Sequence, residues 1–200
     1  MSAKILVTYA TNAGSTSSVA ETIAKELRQA NVTVDVRRVA EVSDLGGYAA
    51  VVVGAPMILG WHKAAQGFLK AQQSALSKVP VAYFVTCMSL TQPDSAAVLG
   101  VPVSIDPNLA KPPKRPGHLS LRERYSSVAN YLGPILKAAP QVKPVNVGFF
   151  AGNVAYYRLN LFQKLFAIIL TGGRAGDFRN WDAIQAWAKD VRPLLIQQSS

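Results

Sequence analysis

One cysteine and 2 histidines in 200 residues leave no disulfide framework, no clustered-thiolate metal site and little for a zinc centre. Acidic residues are scarce too. Asp and Glu number 11 against 21 Lys and Arg, a formal net charge of +10, so an anionic partner is expected: lipid head groups, an acidic small molecule or nucleic acid. No apolar run approaches the ~18 to 20 residues that a bilayer span needs. Lys4 to Tyr9 reads as a strand begun almost at the N-terminus, with no charged leader, apolar stretch or small-residue cleavage site before it. The expectation is a cytoplasmic protein, with peripheral contact on the inner face of the cell membrane as an option. Gly (14) and Pro (12) are near average usage and punctuate turns rather than build low-complexity sequence. Half the chain is apolar, enough for one compact domain spanning residues 1–200.

What is present alternates. Ile5-Leu6-Val7 is a first strand, and Ser17 to Ala30 carries Val19, Ile23 and Leu27 at four-residue spacing with Glu21, Lys25 and Arg28 opposite, an amphipathic helix. Val32 to Val36 is a second strand. Ala49 to Gly54 and Val81 to Thr86 are unbroken apolar runs, as central strands covered on both faces require. Lys63 to Ser77 and Ser120 to Leu136 read as helices, Val145 to Ala151 as a fifth strand and Trp181 to Val191 as a last helix. The pattern predicts an α/β fold, a doubly wound five-stranded parallel sheet with helices on both faces. Gln92 to Gly117 breaks the rhythm with six prolines, so an irregular insertion after strand four is expected over about 92–120. Charge gathers in this half: Ser95 to Arg174 holds ten Lys/Arg against Asp106 and Glu123.

Between the first strand and helix lies Ala10-Thr11-Asn12-Ala13-Gly14-Ser15-Thr16. Small hydroxyl and glycine residues there leave backbone N–H groups aimed at one point, where the helix dipole favours an anion. The same residues would also make an ordinary capped turn. A Walker A loop needs a Lys after Gly14, a dinucleotide fingerprint needs three spaced glycines, and a receiver domain needs acids at the ends of the early strands; none is present. What remains is a hydroxyl-rich loop suited to a phosphate monoester held by N–H dipoles rather than a cation.

Thr11-Asn12-Ala13-Gly14-Ser15-Thr16 resembles the flavodoxin phosphate loop, Thr-x-Thr-Gly-x-Thr, with Ala13 in place of the middle Thr. The second half is similar to the menaquinone-dependent protoporphyrinogen dehydrogenase branch of the flavodoxin-like proteins. The basic stretch Lys111 to Arg124 matches that branch's insertion, and Tyr156-Tyr157, Phe162, Lys164-Leu165, Gly172-Gly173 and Trp181 follow its order, so the likeness runs from Lys4 to Val191. It implies a flavodoxin-like fold and an FMN-dependent oxidoreductase. A reduced donor such as a porphyrinogen would give electrons, and a quinone would take them. In such a sheet the loops after strands one, three and four meet at the switch point. The cofactor-binding candidates are Thr11, Asn12, Ala13, Gly14, Ser15 and Thr16 for the phosphate. Pro56, Met57, Ile58, Leu59, Gly60 and Trp61 with Thr86, Cys87, Met88, Ser89 and Leu90 would frame the flavin ring. Where that branch has Arg-Tyr-Gly-His after strand three, this chain has Ile58-Leu59-Gly60-Trp61. Trp61 is a stacking candidate or a packing anchor. His62 and Lys63 are compensating cations or solvated helix-start residues.

Tyr156 to Thr171 is apolar around most of a helical wheel, with Asn160, Gln163, Lys164 and Thr171 in one narrow arc and Arg158 interrupting the rest. Such a helix is buried on two sides, covers a partner such as a second copy, or dips into a bilayer interface. Lys111, Lys114, Arg115, Arg122 and Arg124 lack an aromatic stacking motif or groove-reading helix, which weighs against nucleic acid. No Ser-His-Asp or paired-carboxylate pattern points to hydrolysis, no metal is expected and no catalytic side chain stands out. Cys87 is a small buried residue or a redox thiol, and His118 is expected to be solvated. Two alternatives to the enzyme stay open: a flavodoxin-type electron carrier between proteins, and a flavin-free interaction module that kept the fold.

Overall fold

The computed structural model describes residues 3–12, 14–28, 32–58, 60–115, 117–154 and 176–196. The expectations placed on Ala13, Leu59, Ala30, Tyr156 to Thr171 and Gly172-Gly173 lie outside the described residues. The apolar, β-branched runs form strands β1 (Ala3–Tyr9), β2 (Val32–Arg38), β3 (Ala50–Pro56) and β4 (Val81–Cys87). Four short strands follow, β5 (Leu90–Thr91), β6 (Ala97–Val98), β7 (Val101–Ile105) and β8 (Ala110–Lys111), then β9 (Asn146–Ala151), β10 (Asn153–Val154) and β11 (Gly176–Asp177). The helices are α1 (Ser15–Leu27), α2 (Lys63–Ala71), α3 (Gln73–Leu76), α4 (Leu121–Tyr125), α5 (Val128–Ala138) and α6 (Trp181–Ile196).

The main sheet runs β2-β1-β3-β4-β9-β7-β6. Every pairing is parallel except β6 with β7. The doubly wound five-stranded core is thus present as β2-β1-β3-β4-β9, and the sheet has seven strands rather than five because the insertion adds β7 and β6 at its edge. Alternation divides the central strands between two cores. Val51, Val53 and Ala55 of β3 and Val81, Tyr83, Val85 and Cys87 of β4 face the layer built by α2, α3 and α5. Ala50, Val52, Ala82 and Phe84 face α1 and α6. Both strands are buried throughout, which is why they read as unbroken apolar runs. Gly54 lets these strands pack closely: a Cβ there would lie 1.9 Å from the Phe84 ring.

The expected irregular insertion holds defined structure. Leu99 and Gly100, at φ 53° and 77°, make the two-residue turn of the β6–β7 hairpin, and such a turn needs positive φ at both positions. β7 then pairs with β9, Val103 opposite Val147. The buried Asp106 fixes this added edge, its Oδ1 accepting from Asn108 N–H at 2.9 Å and Asn180 Nδ2 at 3.0 Å and its Oδ2 from Ala151 N–H at 3.4 Å. Two helices expected as single pieces are split. Gln72 leaves helical geometry between α2 and α3 while its side chain donates to Ser43 O at 3.0 Å. Ser127 restarts the chain as α5, its hydroxyl capping Asn130 N–H at 3.2 Å.

Candidate functional site

The site begins where β1 hands over to α1. Gly14 sits at φ 87°, a left-handed conformation that an L side chain would strain, and precedes the helix without a side-chain cap. Its N–H donates to Thr11 Oγ1 at 2.9 Å, closing the turn. Hydroxyls then occupy the first carbonyls: Ser17 Oγ donates to Gly14 O at 2.6 Å and Ser18 Oγ to Ser15 O at 3.1 Å. The N–H groups of Ser15 and Thr16 belong to the first turn, which has no intrahelical acceptor for them. Among the described residues neither finds a backbone acceptor outside the helix. Amide donors at the positive end of a helix, framed by hydroxyls and without a cap, suit a phosphate group.

The loops after β1 and β3 meet, and β4 reaches them through Thr86 at its end. Asn12 of the first loop accepts at Oδ1 from His62 Nε2 at 2.9 Å, joining it to the loop after β3. His62 Nδ1 accepts from Ala64 N–H at 3.2 Å and caps α2, so the ring proton lies on Nε2. Burial lowers the His62 pKa, which favours this neutral form. Thr16 is buried with its hydroxyl 3.5 Å from that of Thr86 at the end of β4, and Met57 N–H donates to Thr86 O at 2.8 Å. Between the loops lies a cavity of about 290 Å³, walled by Asn12, Pro56, Ile58, Gly60, His62 and Lys63, with Trp61 at its base. Lys63 and His62 are therefore at the cavity, and His62 is a structural link rather than a solvated helix-start residue.

Trp61 is not placed to stack. Met57 and Trp61 bridge across a tight turn in which Gly60 adopts φ 103°. This turns the indole inward, leaving it 2% exposed, its Nε1 donating to Ala55 O at 3.2 Å and its ring 6.1 Å from Tyr83. The packing-anchor role prevails because an inward-facing position on the turn gives the ring both a core partner and a hydrogen bond. Cys87 is likewise buried, and desolvation pushes its thiol up to about 12, which removes the thiolate a redox role needs.

Met88, Ser89 and Leu90 leave β4 in another direction and line a larger cavity of about 730 Å³ beneath the insertion. Leu109, Ala151 and Phe178 give it apolar walls, and Lys111, Lys114 and Arg122 give it positive charge. Its one acid, Glu123, is spent on the loop above: the carboxylate accepts from Lys114 N–H at 2.7 Å, Ser120 N–H at 2.8 Å and Ser120 Oγ at 2.6 Å. Those bonds hold the Glu123 carboxyl down at about 2. The sequence marks this stretch as basic, but no local pattern reveals that it roofs a cavity. His118 is exposed in the same loop.

A family model for the flavodoxin domain matches residues 6–171. The chain belongs to the flavodoxin-domain family. The strand order β2-β1-β3-β4-β9 agrees with the flavodoxin-like order, which places ligands at the carboxyl ends of the strands beside the first loop. Among curated proteins, this flavodoxin-domain chain is similar to protoporphyrinogen IX dehydrogenase (quinone) of Leishmania major, 26% identical over 207 residues covering 98% of this chain and 77% of that protein. The Escherichia coli K12 protein of the same name is 29% identical over 94 residues, 46% of this chain and 52% of its own length. Among solved structures, rubredoxin oxygen:oxidoreductase from Desulfovibrio gigas has TM-score 0.50 at 14% identity, covering 98% of this chain and 36% of that one. An oxidoreductase from Corynebacterium diphtheriae has TM-score 0.50 at 12% identity, covering 98% and 99%. At these identities the two structures speak for the flavodoxin-like fold.

The turn itself carries no cation, but one arrives from the far end of the chain. Arg179, just before α6, donates from Nη1 to Ser18 Oγ and, at 3.5 Å, to Ser15 O in the first turn of α1. The sequence holds no signal for this, because more than 160 positions separate the partners.

Proposed function

We propose that this protein is an FMN-dependent oxidoreductase that moves electrons from a reduced small molecule, most specifically a porphyrinogen, to a quinone. The observation that carries the reading is the opening turn, where Gly14 is left-handed and the amides of Ser15 and Thr16 at the start of α1 have neither a side-chain cap nor a backbone acceptor. Thr11, Asn12, Gly14, Ser15 and Thr16 would hold the phosphate, and the loop from Pro56 to His62, braced on Thr86, would border the ring. Bound flavin supplies the electron transfer, and the protein supplies position and exclusion of water. Each electron pair and its protons that leave the donor end on one quinone as quinol.

The neighbouring cavity supports a second ligand. Its apolar walls suit a hydrophobic ring system, and Lys111, Lys114 and Arg122 suit carboxylates on its rim. The name borne by the Leishmania and Escherichia relatives agrees with that chemistry. The basic insertion also fits an anionic membrane surface, from which a quinone would be drawn.

Titration of the purified protein with FMN, followed by turnover of protoporphyrinogen IX with a menaquinone analogue, tests the reading. Stoichiometric uptake and quinone-dependent formation of porphyrin are expected. Uptake with single-electron exchange to a reductase but no turnover would turn the reading into a protein-to-protein carrier. No FMN uptake would leave a flavin-free module.

A further inference from the structure

Arg179 lies among bonds that fix it from several directions. Its Nε donates to Asp177 Oδ1 at 2.7 Å and its Nη2 to Asp177 Oδ2, a two-pronged pair, while its guanidinium carbon sits 4.5 Å from the centre of the Trp181 ring. Asp177 is held in turn by β11, opposite Asn153 of β10, and the next residue, Asn180, is bonded to Asp106. The remaining nitrogen, Nη1, reaches α1. There it donates to Ser18 Oγ, whose own proton goes to Ser15 O, the second acceptor of the same Nη1. The three groups close a ring on the first turn of the helix. The arginine side chain is 12% exposed.

We infer that Arg179 is a positioning residue for the phosphate end of the cofactor site, acting through Ser15 and Ser18; the inference rests on the FMN reading. Its charge is already matched by Asp177, so it does not serve as a free cation for the phosphate. What it fixes is the orientation of the turn. The Ser15 carbonyl it holds shares a peptide plane with the Thr16 N–H, one of the uncapped donors, so a rotation of this plane moves the donor. Only a planar fork holds Asp177 on one edge and Ser18 on the other, which a lysine ammonium does not reproduce.

The test compares affinity for FMN and for riboflavin, which lacks the phosphate, in wild-type protein, Arg179→Gln, Arg179→Lys and Ser18→Ala. Arg179→Gln is expected to weaken FMN about tenfold, the scale of one lost charge-assisted hydrogen bond, and to leave riboflavin unchanged. Arg179→Lys is expected to recover part of the loss. Ser18→Ala leaves the Asp177–Arg179 pair intact, should shift FMN the same way, and carries the test alone if Arg179→Gln does not fold. Hydrogen exchange of the cofactor-free protein gives an independent readout: protection at residues 17–19 should fall in Arg179→Gln while α6 keeps its own. Unchanged FMN affinity in both Arg179→Gln and Ser18→Ala overturns the inference and leaves the FMN reading standing. Equal loss of FMN and riboflavin, or loosening spread over α6, reduces Arg179 to a structural tie and also overturns it. Wild-type protein that takes up neither flavin overturns the FMN reading, and the inference with it.

Discussion

Tyr48 donates to Asp35 Oδ2 at 2.6 Å, on the far edge of the sheet from the insertion, while Lys4 sits 3.0 Å from the same oxygen and Arg37 3.6 Å. The Tyr48 bond, then the Lys4 bond, holds the Asp35 carboxyl below its ordinary range. A carboxylate lowered on folding stabilises fully above its unfolded pKa, and that stability is lost as pH falls through the folded value. Tyr48→Phe should therefore cost about 1 kcal/mol near neutral pH, and the difference should shrink as acid protonates Asp35. Urea midpoints of both proteins across that range measure it. Cys87 makes a second prediction at this scale. Its thiol is buried and pushed up to about 12, so alkylation of the native protein should be slow at neutral pH and should proceed at the rate of unfolding. Fast labelling of folded protein would contradict the buried placement.

Among the elements, the insertion shows most plainly what a sequence carries and what it does not. Its prolines announce a departure from the βαβ rhythm, and its serines at 120 and 127 are recognisable caps once α4 and α5 are seen to be separate. The pairing of β7 with β9 is invisible beforehand, because a short strand joins a sheet edge through register and a buried carboxylate from Asp106, neither of which leaves a periodic trace. The loop between Lys114 and Glu123 is closed by a single carboxylate. Glu123→Gln leaves only a weaker neutral acceptor, so trypsin should cut after Lys114 several times faster in the variant. The thermal midpoint should barely move, since this group is on the surface and the core is untouched. Because Glu123 titrates only at about 2, the wild-type loop stays closed through mild acid and opens as pH falls through that value, which amide exchange across residues 111–125 would follow.

For the molecule as a whole, the local parts of the site are legible and their long-range ties are not. The loops after β1 and β3, beside the end of β4, follow from strand order, yet the departure of Met88 to Leu90 to another cavity, the inward turn of Trp61, the His62–Asn12 link and the reach of Arg179 depend on contacts that composition does not encode. Charge is a property of the same scale. Lys114, Arg115, Arg122 and Arg124 flank Leu119 and Leu121 in sequence, and Leu121 is 84% exposed. Among the described residues no helix is long and apolar enough to cross a membrane. Such a patch is expected to meet an anionic bilayer at its surface, each cation contributing about 1 kcal/mol within a Debye length of roughly 10 Å. Vesicles rich in phosphatidylglycerol should carry the protein upward in a flotation gradient at low salt and release it at high salt, and neutral phosphatidylcholine vesicles should not carry it. Binding that survives high salt but is lost in Leu121→Ser would assign the contact to the apolar tip instead of the charge, and failure to float in every condition would remove the membrane as a partner.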